Sequence, residues 1–166
     1  KLVYPNAEIM APEAEWAFWM DDARMAAAPD AMKGAFAGVH RVLKPNAADV
    51  KRFKWGQEVV TGITAVDASG HTPGHTAFAI SNGGKTLLYV ADITNNPALF
   101  ARNPEWRVMF DMDGEKAVQT RKKILDMAAT DKIQISFYHA NFPSTGFIAK
   151  EGAGYRLIPA SWNSTI

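Results

Sequence analysis

Hydrophobic and polar positions change their spacing along this chain, and each change marks an element. Residues 6–12, "NAEIMAP", read as a short strand closed by Pro12. "PEAEWAFWMDDARM" follows, with proline at its start, Glu13 in the first turn, and Trp16, Trp19 and Met20 at helical spacing. After Pro29, the residues Met32, Phe36, Val39 and Leu43 recur at i, i+4, i+7 and i+11, which predicts a second helix. "KPNAAD" ends it with a proline and polar turn residues. From residue 50 the texture is that of strands. "VKRFKWG", "ITAVDAS", "HTAFAISNGG" and "KTLLYVADI" are short, rich in Val, Ile, Phe and Tyr, and separated by turn residues. "TAFAI-SNGG-KTLLYVA" is the strongest hairpin signal. "DGEKAVQTRKKILDMAAT" then predicts a long helix with Ala117, Val118, Ile124, Leu125 and Ala128 on its apolar stripe. "KIQISFYHA" is a strand, and "GFIAKEGAGYRLIPAS" is two strands around a Glu-Gly-Ala-Gly turn.

Helices, a block of strands, a helix and more strands suggest one mixed α/β sandwich layer, not an alternating parallel β-α fold. The 166 residues are enough for a single domain. Eighteen basic and 17 acidic residues leave a net charge of +1, with no long basic run. That gives no electrostatic reason to expect nucleic acid or an anionic membrane as partner. Apolar runs such as "LLYVA" are far shorter than the ~20 residues of a membrane span. The composition is that of a soluble protein and leaves cytoplasm and periplasm equally open. There is no cysteine, so disulfides and thiolate ligands are excluded, and any metal is held by His, Asp or Glu. "KLVYPNAEIM" carries neither an initiator Met nor a signal-like apolar core, so the expectation is a chain that begins inside a longer gene product or after processing.

The four histidines are His40, His71, His75 and His139. His40 falls near the basic end of the second helix, where a surface histidine needs no function. His75 opens a strand after the turn "GHTPG", Asp92 closes the run "LLYVA", and His139 closes "KIQISFY". Taken singly, a strand-end Asp is a turn or cap residue, and a strand-end His is a surface hydrogen-bonding group. Three such residues at three strand-to-loop junctions can converge on one rim of a sheet, with donor chemistry that suits Zn²⁺. His71 shares the turn with His75, but a chain reversing through Pro73-Gly74 is expected to point it elsewhere. It then hydrogen-bonds within the loop or supports a ligand from behind. Asp111 and Asp113, just ahead of the long helix, read as N-capping residues.

In order and spacing, "GHTPGH", an aspartate 17 positions past His75, and "YHANFPSTG" with its histidine 47 positions further on resemble the metallo-β-lactamase-fold hydrolases. "PNAEIMAPEAEWAFW", "GHTPGHTAFAISNGGKTLLYVADI", "NPEWRVMFDMD" and "GYRLIPASW" look like the branch containing methyl parathion hydrolase and related lactonases. The resemblance runs over nearly the whole chain. It implies an αββα sandwich, present here as its second half plus a helical middle segment. It also implies two divalent metals, zinc in the first place, with His75, Asp92 and His139 as ligands and His71 behind them. Asp92 is the implied catalytic residue, bridging the metals. The chemistry implied is hydrolysis of a lactone, carboxylic ester or organophosphate ester, two metals holding a hydroxide and polarising the scissile group. Trp16 and Trp19 are candidates for the wall of an apolar substrate pocket, with helix packing as the alternative. The family's H-x-H-x-D-H motif, source of four further ligands, is absent from these residues. The expectation is therefore the C-terminal portion of a hydrolase, inactive alone, whose apolar sheet face is covered by the missing N-terminal half or by a second copy. The alternatives are a metal-free, self-associating half-domain and a thioester hydrolase of the glyoxalase type.

Overall fold

The first predicted helix is two helices in the computed structural model, which describes residues 4–161. Strand β1 (Met10–Pro12) runs into α1 (Glu13–Trp19), which stops at Met20. The Asp21 side chain then accepts hydrogen bonds from the Ala23 and Arg24 amides and starts α2 (Asp22–Ala27) afresh. The apolar spacing carries across this break, but a short carboxylate binding its own backbone outcompetes continued helix. Helix α3 (Asp30–Leu43) follows Pro29 as predicted. Strand β2 (Lys51–Phe53) pairs in parallel with β1. These elements belong to the first of two compact units, Lys1–Lys54, and everything after belongs to the second, Trp55–Ile166.

Within the first unit Trp19 packs on Phe36 with ring centroids 4.8 Å apart, and Phe18 on Phe36 at 5.4 Å. His40 is not the surface residue expected. It lies one turn beyond Phe36 on the same buried stripe of α3, and its Nε2 is 2.8 Å from the Trp19 carbonyl.

The second unit is built on one seven-stranded sheet ordered β3-β4-β5-β6-β7-β8-β9. Strand β3 (Glu58–Val60) is too short to show a period and was not expected; β4 (Ile63–Asp67) pairs antiparallel with it. Strands β5 (Thr76–Asn82) and β6 (Lys85–Tyr89) form the predicted hairpin. Its two turn residues, Gly83 and Gly84, have φ of 55° and 75°, both in the left-handed region that a tight two-residue turn demands. The chain then passes through a short unpredicted helix, α4 (Pro97–Arg102), and the long α5 (Gly114–Thr130). It returns as β7 (Gln134–Ser136), beside and parallel to β6. Strands β8 (Thr145–Glu151) and β9 (Gly154–Pro159) complete the sheet as an antiparallel pair. Trp162, part of the C-terminal segment "GYRLIPASW", lies outside the described residues.

Helix α5 buries the stripe read from the sequence. Ile124, Leu125 and Ala128 join one cluster with Ala77, Leu88, Ile135 and Ile148 from four strands. The opposite face of the sheet is apolar as well. The register sets Ile80 across from Ile63 and Leu87, and Phe147 across from Ile158. Ile80, Phe147 and Ile158 remain 38%, 41% and 42% exposed. A sheet with two apolar faces is built for a layer on each. Among the described residues no helix is long and apolar enough to cross a membrane.

Where the sheet meets α5, one glycine is demanded by space. Gly70 has φ of 134°, and a Cβ there would stand 2.4 Å from the Ala117 amide nitrogen. Gly70→Ala is expected to destabilise the protein by more than about 2 kcal/mol, because the strain and the clash are both backbone-borne. Gly84→Ala, with nothing within 4 Å of the added carbon, is expected to cost about 1 kcal/mol. Urea unfolding midpoints of the two variants measure the difference.

Candidate metal centre

The parallel pairing of β6 and β7 brings two of the predicted site residues together. Both strands end at the same edge, and the backbone bonding runs on past them. The Val90 amide donates to the Ser136 carbonyl at 2.9 Å, and the Tyr138 amide to the Ala91 carbonyl at 3.4 Å. Asp92 and His139 are each the next residue. Ala91 itself has φ of 45°, an unfavourable conformation for a residue with a Cβ, and it turns Asp92 back toward the sheet edge. His139 Nε2 lies 2.8 Å from Asp92 Oδ1. The contact has ion-pair distance without hydrogen-bond alignment, and the buried Asp92 Oδ1 has no hydrogen-bond partner among the described residues.

His75 reaches the same place from β5. Its Nδ1 is 2.8 Å from the Ala68 carbonyl, which can only accept, so the proton sits on Nδ1. Nε2 therefore carries a lone pair, and the Asp92 amide donates to it at 3.1 Å. This is the arrangement in which a backbone carbonyl fixes the tautomer of a metal-ligating histidine. Asp92 is thus the meeting point, with His75 at its amide and His139 at its carboxylate.

His71 is not turned away. Its ring lies edge-to-face with that of His75 at a centroid distance of 5.5 Å. Its Nδ1 is 3.1 Å from Asp111 Oδ1. Asp111 and Asp113 take different roles. Asp113 caps α5 by accepting from the Lys116 amide at 2.9 Å, as expected. Asp111 caps nothing. Its side chain is 3% exposed, between His71 and the guanidinium of Arg121, whose Nη2 lies 3.7 Å from Asp111 Oδ2.

The motif reading gives no hint of Arg121. It sits on α5 among apolar residues and is 1% exposed. Nε donates to the Ile93 carbonyl at 2.8 Å, and Nη1 to the Pro104 and Trp106 carbonyls at 2.9 and 2.6 Å. The Phe100 ring lies under the guanidinium, 4.8 Å from its carbon. Burial pushes the Arg121 pKa down from its ordinary value, with the Asp111 charge opposing. The guanidinium stays protonated regardless. On the sequence, "QTRKKIL" gives Arg121 the look of one more solvent-facing cation.

A cavity of about 400 Å³ is lined by His71, Asp92, Thr94, Asp111, Arg121 and His139 together with Val108 and Phe110, and His75 is not among its lining residues. Trp16 and Trp19 are not among its lining residues. Trp16 stacks under the Arg52 guanidinium, and the Trp19 indole donates to Glu15 within the helix packing of the first unit. The buried oxygens lacking a hydrogen-bond partner among the described residues are Asp92 Oδ1, Thr94 Oγ1 and Asp111 Oδ2, all on residues of this one cavity. A buried carboxylate oxygen without a hydrogen-bond partner, 2.8 Å from the His139 imidazole nitrogen, is donor chemistry that fits a divalent cation. The fit is partial. Among the described residues no three His, Asp or Glu side chains are arranged to hold an ion.

No family model matches the chain, and a comparison with curated proteins finds no relative. Solved structures do match. The dizinc quorum-quenching lactonase AidC, solved with a product N-hexanoyl-L-homoserine, superposes with a TM-score of 0.88 at 29% identity, over 99% of this chain and 58% of that one. The hydrolase AbOPH of the beta lactamase superfamily gives a TM-score of 0.86 at 26% identity, over 97% of this chain and 57% of that one. AiiA from B. thuringiensis, in a mutant with N-decanoyl-L-homoserine at its active site, shares the fold at a TM-score of 0.58 and 20% identity. The fold is therefore α/β of the metallo-β-lactamase type, and its solved neighbours are hydrolases of that superfamily. The chain spans less than three-fifths of the length of AidC and of AbOPH.

Removing Arg121 should be costly. Arg121→Met leaves the Asp111 carboxylate buried without its cation and strips three carbonyls of their donor. A loss of about 3–5 kcal/mol is expected, the range for breaking a buried charge pair from one side. Chemical denaturation measures it. An Asp111→Asn, Arg121→Met double variant is expected to lose less than the sum of the two single changes.

Proposed function

We propose that residues 1–166 form one domain's share of a dinuclear, metal-dependent hydrolase and hold His75, Asp92 and His139 as metal ligands. Asp92 would be its catalytic residue, holding metal through the carboxylate. One observation carries this reading: the buried, partnerless Oδ1 of Asp92, set against the Nε2 of His139. Zinc is the expected metal, since two imidazoles and a carboxylate are its usual donors. Metal ions bound here would polarise the scissile group and lower the pKa of a coordinated water. The chain's own residues fix the imidazole tautomers, present the carboxylate and wall off the cavity. The bonds cleaved are those of a lactone, carboxylic ester or organophosphate ester. The match to a lactonase supports the first of these, and the resemblance of the sequence motifs to the methyl parathion hydrolase branch supports the last.

The apolar, half-exposed sheet face supports a companion layer, either the rest of the enzyme or a second copy of this chain. With three ligands at most, these residues alone are expected to bind no more than one Zn²⁺ per chain, weakly, and to show little lactonase or esterase activity. Metal analysis, light scattering and a lactone assay on the same sample test this together. Two tightly held ions on an active monomer would overturn it. Asp92→Ala is expected to abolish zinc binding by calorimetry, and His71→Ala, which removes only the ring packed edge-to-face on His75, to cost far less. The reverse order would remove Asp92 from the centre of the site. A zinc-free chain that self-associates and resists metal loading would leave the metal-free half-domain in its place.

A further inference from the structure

The sequence places His71 behind a ligand, yet its side chain borders the cavity, and what stands behind it is a chain of two buried charges. We propose that Asp111 and Arg121 are positioning residues that lock His71 as an Nδ1–H tautomer, so that this wall of the cavity offers a hydrogen-bond acceptor. The inference deepens the hydrolase reading, because the acceptor would face a hydroxyl or amide hydrogen of the bound small molecule.

The chemistry follows from the order of the groups. Asp111 Oδ1 is 3.1 Å from His71 Nδ1, and a carboxylate only accepts, so the imidazole hydrogen is held on Nδ1. Nε2, across the ring, is left with its lone pair. Asp111 cannot swing away, because it is buried and Arg121 faces its other oxygen. Arg121 cannot follow it, because three carbonyls and the Phe100 ring fix the guanidinium. One of those carbonyls belongs to Ile93, the residue after Asp92. The same guanidinium therefore sets both the carboxylate behind His71 and the turn that carries Asp92. The backbone closes the other side: the Met112 amide donates to the His71 carbonyl at 3.1 Å, and the Asp113 amide to the Gly70 carbonyl at 3.0 Å. An ordinary structural ion pair would stabilise the fold without dictating which nitrogen of a cavity histidine carries the proton.

Nitrogen-15 NMR of the histidine rings, on the full 166-residue chain without metal at about pH 8, where an ordinary imidazole is neutral, reads the tautomer directly. The wild-type protein should show His71 protonated at Nδ1. Asp111→Leu should release it to the Nε2–H form or to exchange between forms. Asp111→Asn should favour the Nε2–H form as well, because its amide oxygen is drawn to the Arg121 guanidinium and its NH2 then donates to His71 Nδ1. His75, held by the Ala68 carbonyl, should keep its Nδ1–H form in every folded variant and so reports that the turn itself is intact. Arg121→Lys should loosen the His71 preference while keeping the charge. If that variant does not fold, the Asp111 pair still decides. A wild-type His71 protonated at Nε2, or one indifferent to Asp111→Leu, would overturn the proposal. Adding Zn²⁺ separates it from the hydrolase reading. A coordination shift on His71 itself would make it a ligand and overturn its role as acceptor. No shift on any histidine would count against the metal centre and leave the tautomer result standing.

Discussion

Everything at the site depends on β6 and β7 lying side by side in parallel. Parallel strands end at a common edge, so the residues that follow them are neighbours without any help from side chains. Here two further backbone hydrogen bonds carry the ladder beyond the regular strands, to within one residue of Asp92 and of His139. The helical crossover through α4 and α5 makes that parallel pairing possible, and the core formed by α5 makes it stable. The separation between Asp92 and His139 is thus a property of the sheet, which is stiffer than either turn.

The turn carrying the other two histidines is held from below. The Thr120 hydroxyl donates to the Ser69 carbonyl at 2.6 Å, and Gly70 sits where no side chain fits between turn and helix. One face of α5 therefore serves two purposes. Its aliphatic positions fill the core, while Thr120 and Arg121, buried in the same helix, spend their hydrogen bonds on the backbone of the loops that carry the site. Buried polar residues whose donors are aimed at main-chain carbonyls, and in Arg121 at the Asp111 carboxylate as well, are rigid, because each bond lost would leave an uncompensated group in a dry interior.

Much of this architecture is visible in the order of residues. The hairpin shows because Asn-Gly-Gly between alternating apolar runs has few other solutions. The long helix shows because Ala117, Val118, Ile124, Leu125 and Ala128 keep a single stripe. His75, Asp92 and His139 stand out because a strand end leaves a polar side chain with somewhere to point. The sequence misleads where polar residues do interior work. Arg121 reads as a solvent-facing cation, and His40 as a surface residue, because helical spacing shows which side a residue is on and not how far that side is covered. Asp111 and Asp113 look equivalent from two positions apart, yet one caps a helix and the other lies behind a histidine. Only the path of the 104–112 loop, set by the Arg121 hydrogen bonds, distinguishes them. Strand β7 is also shorter than its apolar run suggests, so His139 occupies a turn instead of the last strand position.

The Gly83-Gly84 turn that closes the β5–β6 hairpin has a geometric consequence. His75 precedes β5 and Asp92 follows β6, so the hairpin leads away from the site and returns to it. With about 3.4 Å per residue along each antiparallel strand, the tip stands on the order of 20 Å from the two side chains. It is exposed and touches nothing that a Cβ at either glycine would meet. The hairpin is therefore a natural handle: a dye, an affinity tag or a surface tether attached at its tip would be joined to the site through two rigid strands while staying clear of the cavity.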